Sequence, residues 1–181
     1  MIAIQAGNKD LAQTLIDCPK VDLKITNYNN NTALTLALSP KNSSLFTHLR
    51  PKLLKNVDQD QINFAFYVAD DDNAQLLIES PGLNVNYRAI DYVISETDLT
   101  FESALVHSLR LRQFIKAELI ISHPQFDPIQ SNADIAIFLS VNHLNYKIFT
   151  ALLKYVDVNL LNSQSQSLFE YCCRCKFYQA I

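Results

Sequence analysis

One phrase comes back along this chain at a spacing that limits how the chain can bury its apolar surface. It reads Leu15-Ile16-Asp17-Cys18-Pro19-Lys20-Val21-Asp22, then Leu77-Ile78-Glu79-Ser80-Pro81-Gly82-Leu83-Asn84, then Ile120-Ile121-Ser122-His123-Pro124-Gln125-Phe126-Asp127. Each copy sets an aliphatic pair, two linking residues, a proline, one spacer and an apolar residue ahead of Asp or Asn. The first two copies extend further back, through Ala12-Gln13 and Ala74-Gln75. Repetition on this scale predicts a solenoid, in which each unit buries its apolar face only by stacking on a neighbour.

Between copies the apolar spacing is helical. Leu11, Ala12, Leu15 and Ile16 fall on one stripe, as do Leu45, Phe46 and Leu49, then Ala74, Leu77 and Ile78, then Ile148, Phe149, Leu152 and Leu153. Pro19, Pro81 and Pro124 then stop their helices, because proline cannot continue one and pushes the preceding residue toward extended geometry. Upstream sits a second kind of segment, clearest in Thr32-Ala33-Leu34-Thr35-Leu36-Ala37-Leu38, with Thr32 as a helix cap. Asn29, Asn30 and Asn31 before it suit a tight turn, since Asn tolerates the left-handed backbone. With two glycines and six prolines, punctuation is sparse for an all-β fold.

Thr32-Ala33-Leu34-Thr35-Leu36-Ala37 resembles the ankyrin signature Thr-Pro-Leu-His-x-Ala, and Leu49 falls where the second ankyrin helix carries its leucine pair. Leu15 and Leu77 stand about two ankyrin periods of ~33 residues apart. Val21-Asp22-Leu23, Leu83-Asn84-Val85-Asn86 and Asp157-Val158-Asn159 are similar to the Asp-Val-Asn that opens the loop between ankyrin repeats. Ala3, Gly7, Leu11, Leu15 and Ile16 match a repeat lacking its first turn; Ser103-Ala104-Leu105-Val106-His107-Ser108 is a degenerate start motif capped by Ser103.

The resemblance implies an all-α, ankyrin-like solenoid of stacked helix-turn-helix repeats with extended inter-repeat loops. The whole chain, 1–181, forms one domain, divided near 1–24, 25–58, 59–86, 87–129, 130–159 and 160–181, the first and last being partial. Tetratricopeptide or HEAT-type arrays fit less well, since the Pro-x-apolar-Asp/Asn tails imply extended loops. Glycine at the inter-helix turn survives only at Gly7, with Lys41, Asp71, Arg112 and Leu144 near that position elsewhere. Residues 87–102 carry an insertion. Both ends read as cut, with Ile2, Ile4, Leu168, Phe169, Phe177 and Ile181 lacking cover, which suggests a fragment of a longer chain or end-to-end self-association.

No chemistry-bearing constellation stands out. Cys172-Cys173-Arg174-Cys175 lacks the second pair of donors that a zinc shell needs, and reads as small apolar packing with Cys175 the most exposed thiol. Asp70-Asp71-Asp72 lacks the alternation and glycine of a calcium loop; Asp72 or Asn73 is expected to cap the following helix. His48, His107, His123 and His143 lie in different repeats, without a nucleophile beside them, and no glycine-rich phosphate loop is present. Arg88, Arg110, Arg112 and Lys116 read as a solvated face rather than an acidic-partner patch. The expectation is no catalysis, no cofactor and no metal.

Net charge of −3 offers no basic field for nucleic acid. No apolar run approaches the ~18 residues that cross a bilayer. The opening residues lack a basic, apolar export signal, so the four cysteines are expected to be reduced in an intracellular, most simply cytoplasmic, setting. The resemblance implies a scaffold that binds a partner protein through a concave surface of loop tips and first helices. Tyr28, Asn29 and Asn30 would occupy one tip, and Tyr87, Arg88 and Tyr92 the inserted one, unless Tyr87 or Tyr92 packs on a neighbouring loop. The alternative is the targeting or regulatory arm of a larger multidomain enzyme or effector.

Overall fold

A computed structural model describes residues 1–29, 31–91 and 100–180. The chain is mostly helical, and it divides into two compact units, Met1–Leu83 and Asn84–Ile181.

The first unit holds α1 (Ile2–Gln5), α2 (Lys9–Asp17), α3 (Ala33–Ala37), α4 (Ser43–Lys55), α5 (Gln59–Val68) and α6 (Asp71–Leu77). Successive helices pair as α1 with α2, α3 with α4 and α5 with α6. The pairs then pack like on like: α1 touches α3, α3 touches α5, and α2 touches α4. Leu34, Phe46, Leu49, Leu53, Phe66 and Leu77 are wholly buried among them. Arg50 of α4 donates to the Leu76 carbonyl at 2.7 Å, and Asn73 of α6 to the Leu38 carbonyl at 3.0 Å.

The second unit opens with β1 (Arg88–Asp91) paired antiparallel to β2 (Thr100–Ser103), Arg88 opposite Ser103 and Asp91 opposite Thr100. It continues with α7 (Ala104–Arg110), α8 (Phe114–Ser122), α9 (Ala133–Asn142), α10 (Tyr146–Leu152) and α11 (Leu168–Arg174), then a short 3-10 turn at Tyr178–Ala180. Here too α7 pairs with α8 and α9 with α10, while α7 packs on α9, α9 on α11 and α8 on α10. The core runs through Leu105, Leu109, Ile120, Ile137 and Ile148.

The recurring phrase has one hydrogen-bonding meaning. At each proline the chain makes a β-turn: Val21 N–H donates to the Cys18 carbonyl, Leu83 to Ser80 and Phe126 to His123. The proline takes the second position, which its fixed φ suits. Gly82 follows Pro81 with φ +76°, and this positive value makes that turn type II. The Asp or Asn that closes the phrase then accepts from the backbone two residues on. Lys24 N–H donates to Asp22, Asn86 to Asn84, Ile129 to Asp127 and Asn159 to Asp157. These Asx turns satisfy donors that have left the helix without entering a sheet.

The inter-helix turns repeat as closely. Gly7, Arg112, Leu144 and Lys176 all have φ between 53° and 67°. Each donates its N–H back to the carbonyl three residues earlier (Ile4, Leu109, Val141 and Cys173), and the next N–H reaches back five (Ala3, Ser108, Ser140 and Cys172). This is the Schellman ending, which closes the last carbonyls of a helix. A left-handed non-glycine residue costs roughly 1–2 kcal/mol. Glycine relieves that, less the entropy it adds to the unfolded chain. Leu144→Gly, at an exposed position, is therefore expected to stabilise the chain by about 0.5–1 kcal/mol. A urea midpoint that falls would refute the strain argument.

Several expectations change. The inserted segment adds a small two-stranded ladder to a mostly helical chain, with Arg88 on its first strand. Lys41 lies in a 3-10 turn and Asp71 opens α6, so neither adopts the left-handed backbone. The helix α6 is capped by Asp70, which accepts from Asn73 N–H, not by Asp72 or Asn73. Only Asn56, Val57 and Asp58 join α4 to α5, so no extended loop stands there. Lys116 is wholly buried and Arg110 bonds Glu102 at 3.0 Å, so the four basic residues do not form one solvated face. Of the supposedly uncovered apolar ends, Ile4, Leu168 and Phe177 are buried while Ile2 and Phe169 are exposed; Ile181 lies outside the described residues.

Candidate functional site

The tip before α3 is built by Asn27. Its Oδ1 accepts from the N–H of Asn29 and of Asn31, and its own N–H donates to the Asn31 carbonyl. Tyr28 and Asn29 are therefore fixed by backbone bonds while both side chains are exposed to solvent. Thr32 then caps α3, with a reciprocal bond from its N–H to the Thr35 hydroxyl. Asn30 lies outside the described residues.

The tip before α11 repeats this construction. Asn162 Oδ1 accepts from Gln164 and Gln166 N–H, and Asn162 N–H donates to the Gln166 carbonyl. Ser167 caps α11 with Glu170 as its reciprocal partner. The Ser167 backbone N–H, and then its hydroxyl, hold the Glu170 carboxyl below the ordinary carboxylate range.

Tyr87 and Arg88 belong to the second unit, Tyr28 and Asn29 to the first. Tyr87 is half-buried at the entrance to β1, its carbonyl accepting from Ala104 N–H. Arg88 is exposed, with Nη2 3.4 Å from the Phe101 carbonyl. Tyr92 lies outside the described residues.

The better-formed surface is one that sequence reasoning missed. A groove of about 420 Å³ lies between the exposed side of α9, the 160–164 loop and α11. Phe138, Leu139 and Leu160 line its depth, with Ile135, Leu161 and Tyr171 around them. Ile135 and Leu161 are 48% and 57% exposed, so the groove presents aliphatic surface to water. Tyr171 packs edge-on against Phe138 at 5.3 Å, and its hydroxyl donates to Asn142. Arg174 lies 4.7 Å from the Tyr171 ring centre and donates to Gln164 Oε1 at 3.2 Å. The signal in the sequence was Ile135, an isoleucine off the buried stripe of Ala133, Ala136, Ile137, Ser140 and Val141.

Asn86, near the opening of the second unit, anchors the 125–131 loop. Its Nδ2 donates to the Gln125 carbonyl at 2.7 Å, and its Oδ1 accepts from Asp127 N–H and the Ser131 hydroxyl at 2.8 and 2.7 Å. The Ser131 carbonyl in turn accepts from the Ser103 hydroxyl, which also caps α7 as expected. Glu102 sits on β2 with 6% of its side chain exposed, its carboxylate 3.0 Å from both His107 Nδ1 and Arg110 Nη2.

The thiols sort by depth. Cys172 is buried, and desolvation first, then the charges of Cys173 and Cys175, push its thiol up from the ordinary range. Cys173 is exposed and Cys175 half-buried, so Cys173 replaces Cys175 as the most open thiol. Because the thiolate is the nucleophile, iodoacetamide is expected to label Cys173 first and to spare Cys172 until the chain unfolds. Peptide mass mapping over time reads this directly, and early loss of the Cys172 thiol would contradict the burial.

No group of His, Cys, Asp and Glu suited to a metal ion occurs among the described residues. No helix among them is long and apolar enough to cross a membrane. The chain matches no family model, no curated protein and no solved structure.

Proposed function

We propose that this chain is a non-catalytic, ankyrin-type protein-binding module that recognises its partner through loop tips and the exposed sides of first helices. The observation that carries this is the groove of α9, the 160–164 loop and α11: aliphatic surface facing water on a support fixed by backbone hydrogen bonds. Exposed apolar surface of that kind is costly to leave wet, and it is what a partner's side chains can cover. Support for the ankyrin type comes from like-on-like helix packing within each unit and from the Asx turn after the proline phrase. A rigid frame carrying variable surface residues is the common design of binding proteins.

The test is affinity. A partner captured with the purified chain is identified by mass spectrometry, prepared pure, and titrated against the native chain and an Ile135→Ala/Leu161→Ala double variant. Binding is expected to weaken about tenfold or more, since truncating central apolar residues commonly costs over 1 kcal/mol each. An unchanged Kd with both residues truncated would remove the groove from recognition.

A further inference from the structure

Several cations of this chain stand in ion pairs. Lys52 pairs with Asp17, Lys24 with Asp58, Lys147 with Glu118 and Arg110 with Glu102. Arg174, by contrast, faces no carboxylate within ion-pair reach among the described residues. It is nevertheless held in place, its guanidinium over the Tyr171 ring and one nitrogen on Gln164. Guanidinium has five N–H donors in a planar fork suited to a carboxylate, and one side-chain amide uses few of them. A cation fixed by neutral neighbours, with donors to spare and an apolar floor beside it, is preorganised for an anion attached to something apolar.

The form of the surface favours a chain over a compact ligand. A second hollow of about 500 Å³ shares Asp134 and Leu160 with the groove, so the two run together along the exposed side of α9. An extended peptide advances about 3.3 Å per residue and sets alternate side chains on the surface, so a few residues would follow such a trough. Ser163 and the Gln164 amide nitrogen supply polar groups for its main chain, Asn162 Oδ1 being taken by Gln164 and Gln166 N–H. Asp134, which lines both hollows, repels an acid set beside it, and the second hollow carries Arg88 and Asp157 besides.

Resting on the protein-binding reading above, we infer that this groove takes an extended peptide that sets an aliphatic or aromatic side chain on Ile135, Phe138 and Leu161 and a single carboxylate on Arg174. The occupant is thus defined by two side chains at a fixed spacing rather than by overall charge.

The test uses the purified full chain, its R174E variant and its Leu161→Asp variant, each checked by thermal melting; both positions are exposed, so folding should be retained. Random dodecapeptides displayed on phage are selected on the native chain and on R174E. The native chain is expected to enrich an apolar residue at fixed distance from Asp or Glu. R174E should keep the apolar residue and exchange the acid for Lys or Arg. The synthetic native consensus should lose about tenfold or more in affinity when its acid becomes Lys, and R174E should restore binding of that Lys peptide. Leu161→Asp should weaken both. A consensus without an acid, or one unmoved by R174E and Leu161→Asp, overturns the inference. If no peptide is enriched while a folded partner still binds and responds to Ile135→Ala/Leu161→Ala, the inference falls and the binding-module reading stands. Loss of every ligand overturns both.

Discussion

Replacing Asn86 with alanine should cost the second unit about 2–4 kcal/mol of stability. The residue is 8% exposed and its side chain makes three bonds: from Nδ2 to the Gln125 carbonyl, and to Oδ1 from Asp127 N–H and the Ser131 hydroxyl. A typical hydrogen bond contributes about 1 kcal/mol net, but a buried partner left unsatisfied costs ~1–3 kcal/mol. Ser131 is wholly buried, so its hydroxyl would be stranded without water. Asn84→Ala is the control, because Asn84 is exposed and its side chain accepts from Asn86 N–H in a local turn; it should cost about 1 kcal/mol or less. Urea unfolding of the full chain followed by circular dichroism reads both. Equal shifts for the two variants would show that the buried bonds contribute no more than a surface turn.

The larger loss is expected from Phe66→Ala, at about 3–5 kcal/mol. Phe66 lies on α5 with no exposed surface, beside Ala65, which is equally buried. The ring fills space where α5 meets its neighbours α3 and α6, and alanine would leave a cavity that helices tied by short links cannot readily close. Phe64→Ala on the same helix, at a half-buried position, serves as the comparison and should cost less. Shared destabilisation of similar size would mean that the helix is oriented differently from the packing described.

Much of the local structure was legible because it rests on short-range chemistry. Asp22, Asn84, Asp127 and Asp157 were visible as a recurring letter and make the same Asx turn. Thr32 and Ser103 cap their helices because a hydroxyl before an apolar stripe has few better uses. The less legible features depend on partners distant in sequence. The strand pair joins Arg88 to Ser103 across a segment with no tight-turn signal. Lys116 reads as surface by type, although it stands one turn before Ile120 on the buried stripe of α8. Arg174 looks like any charged residue beside a cysteine cluster until Tyr171 and Gln164 are seen to hold it. The recognition tips were legible in kind, since Tyr28 and Asn29 are exposed, but the groove required α9 and α11 to be brought side by side.

The turns at Gly7, Arg112, Leu144 and Lys176 are drawn entirely between main-chain atoms. Nothing in that bonding asks for a particular side chain, only for tolerance of a left-handed angle. Such corners accept unrelated amino acids, as Gly, Arg, Leu and Lys do here, and still bend the chain the same way. Glycine stands at one of these four corners, and the bend is the same at each. Geometry can outlast spelling.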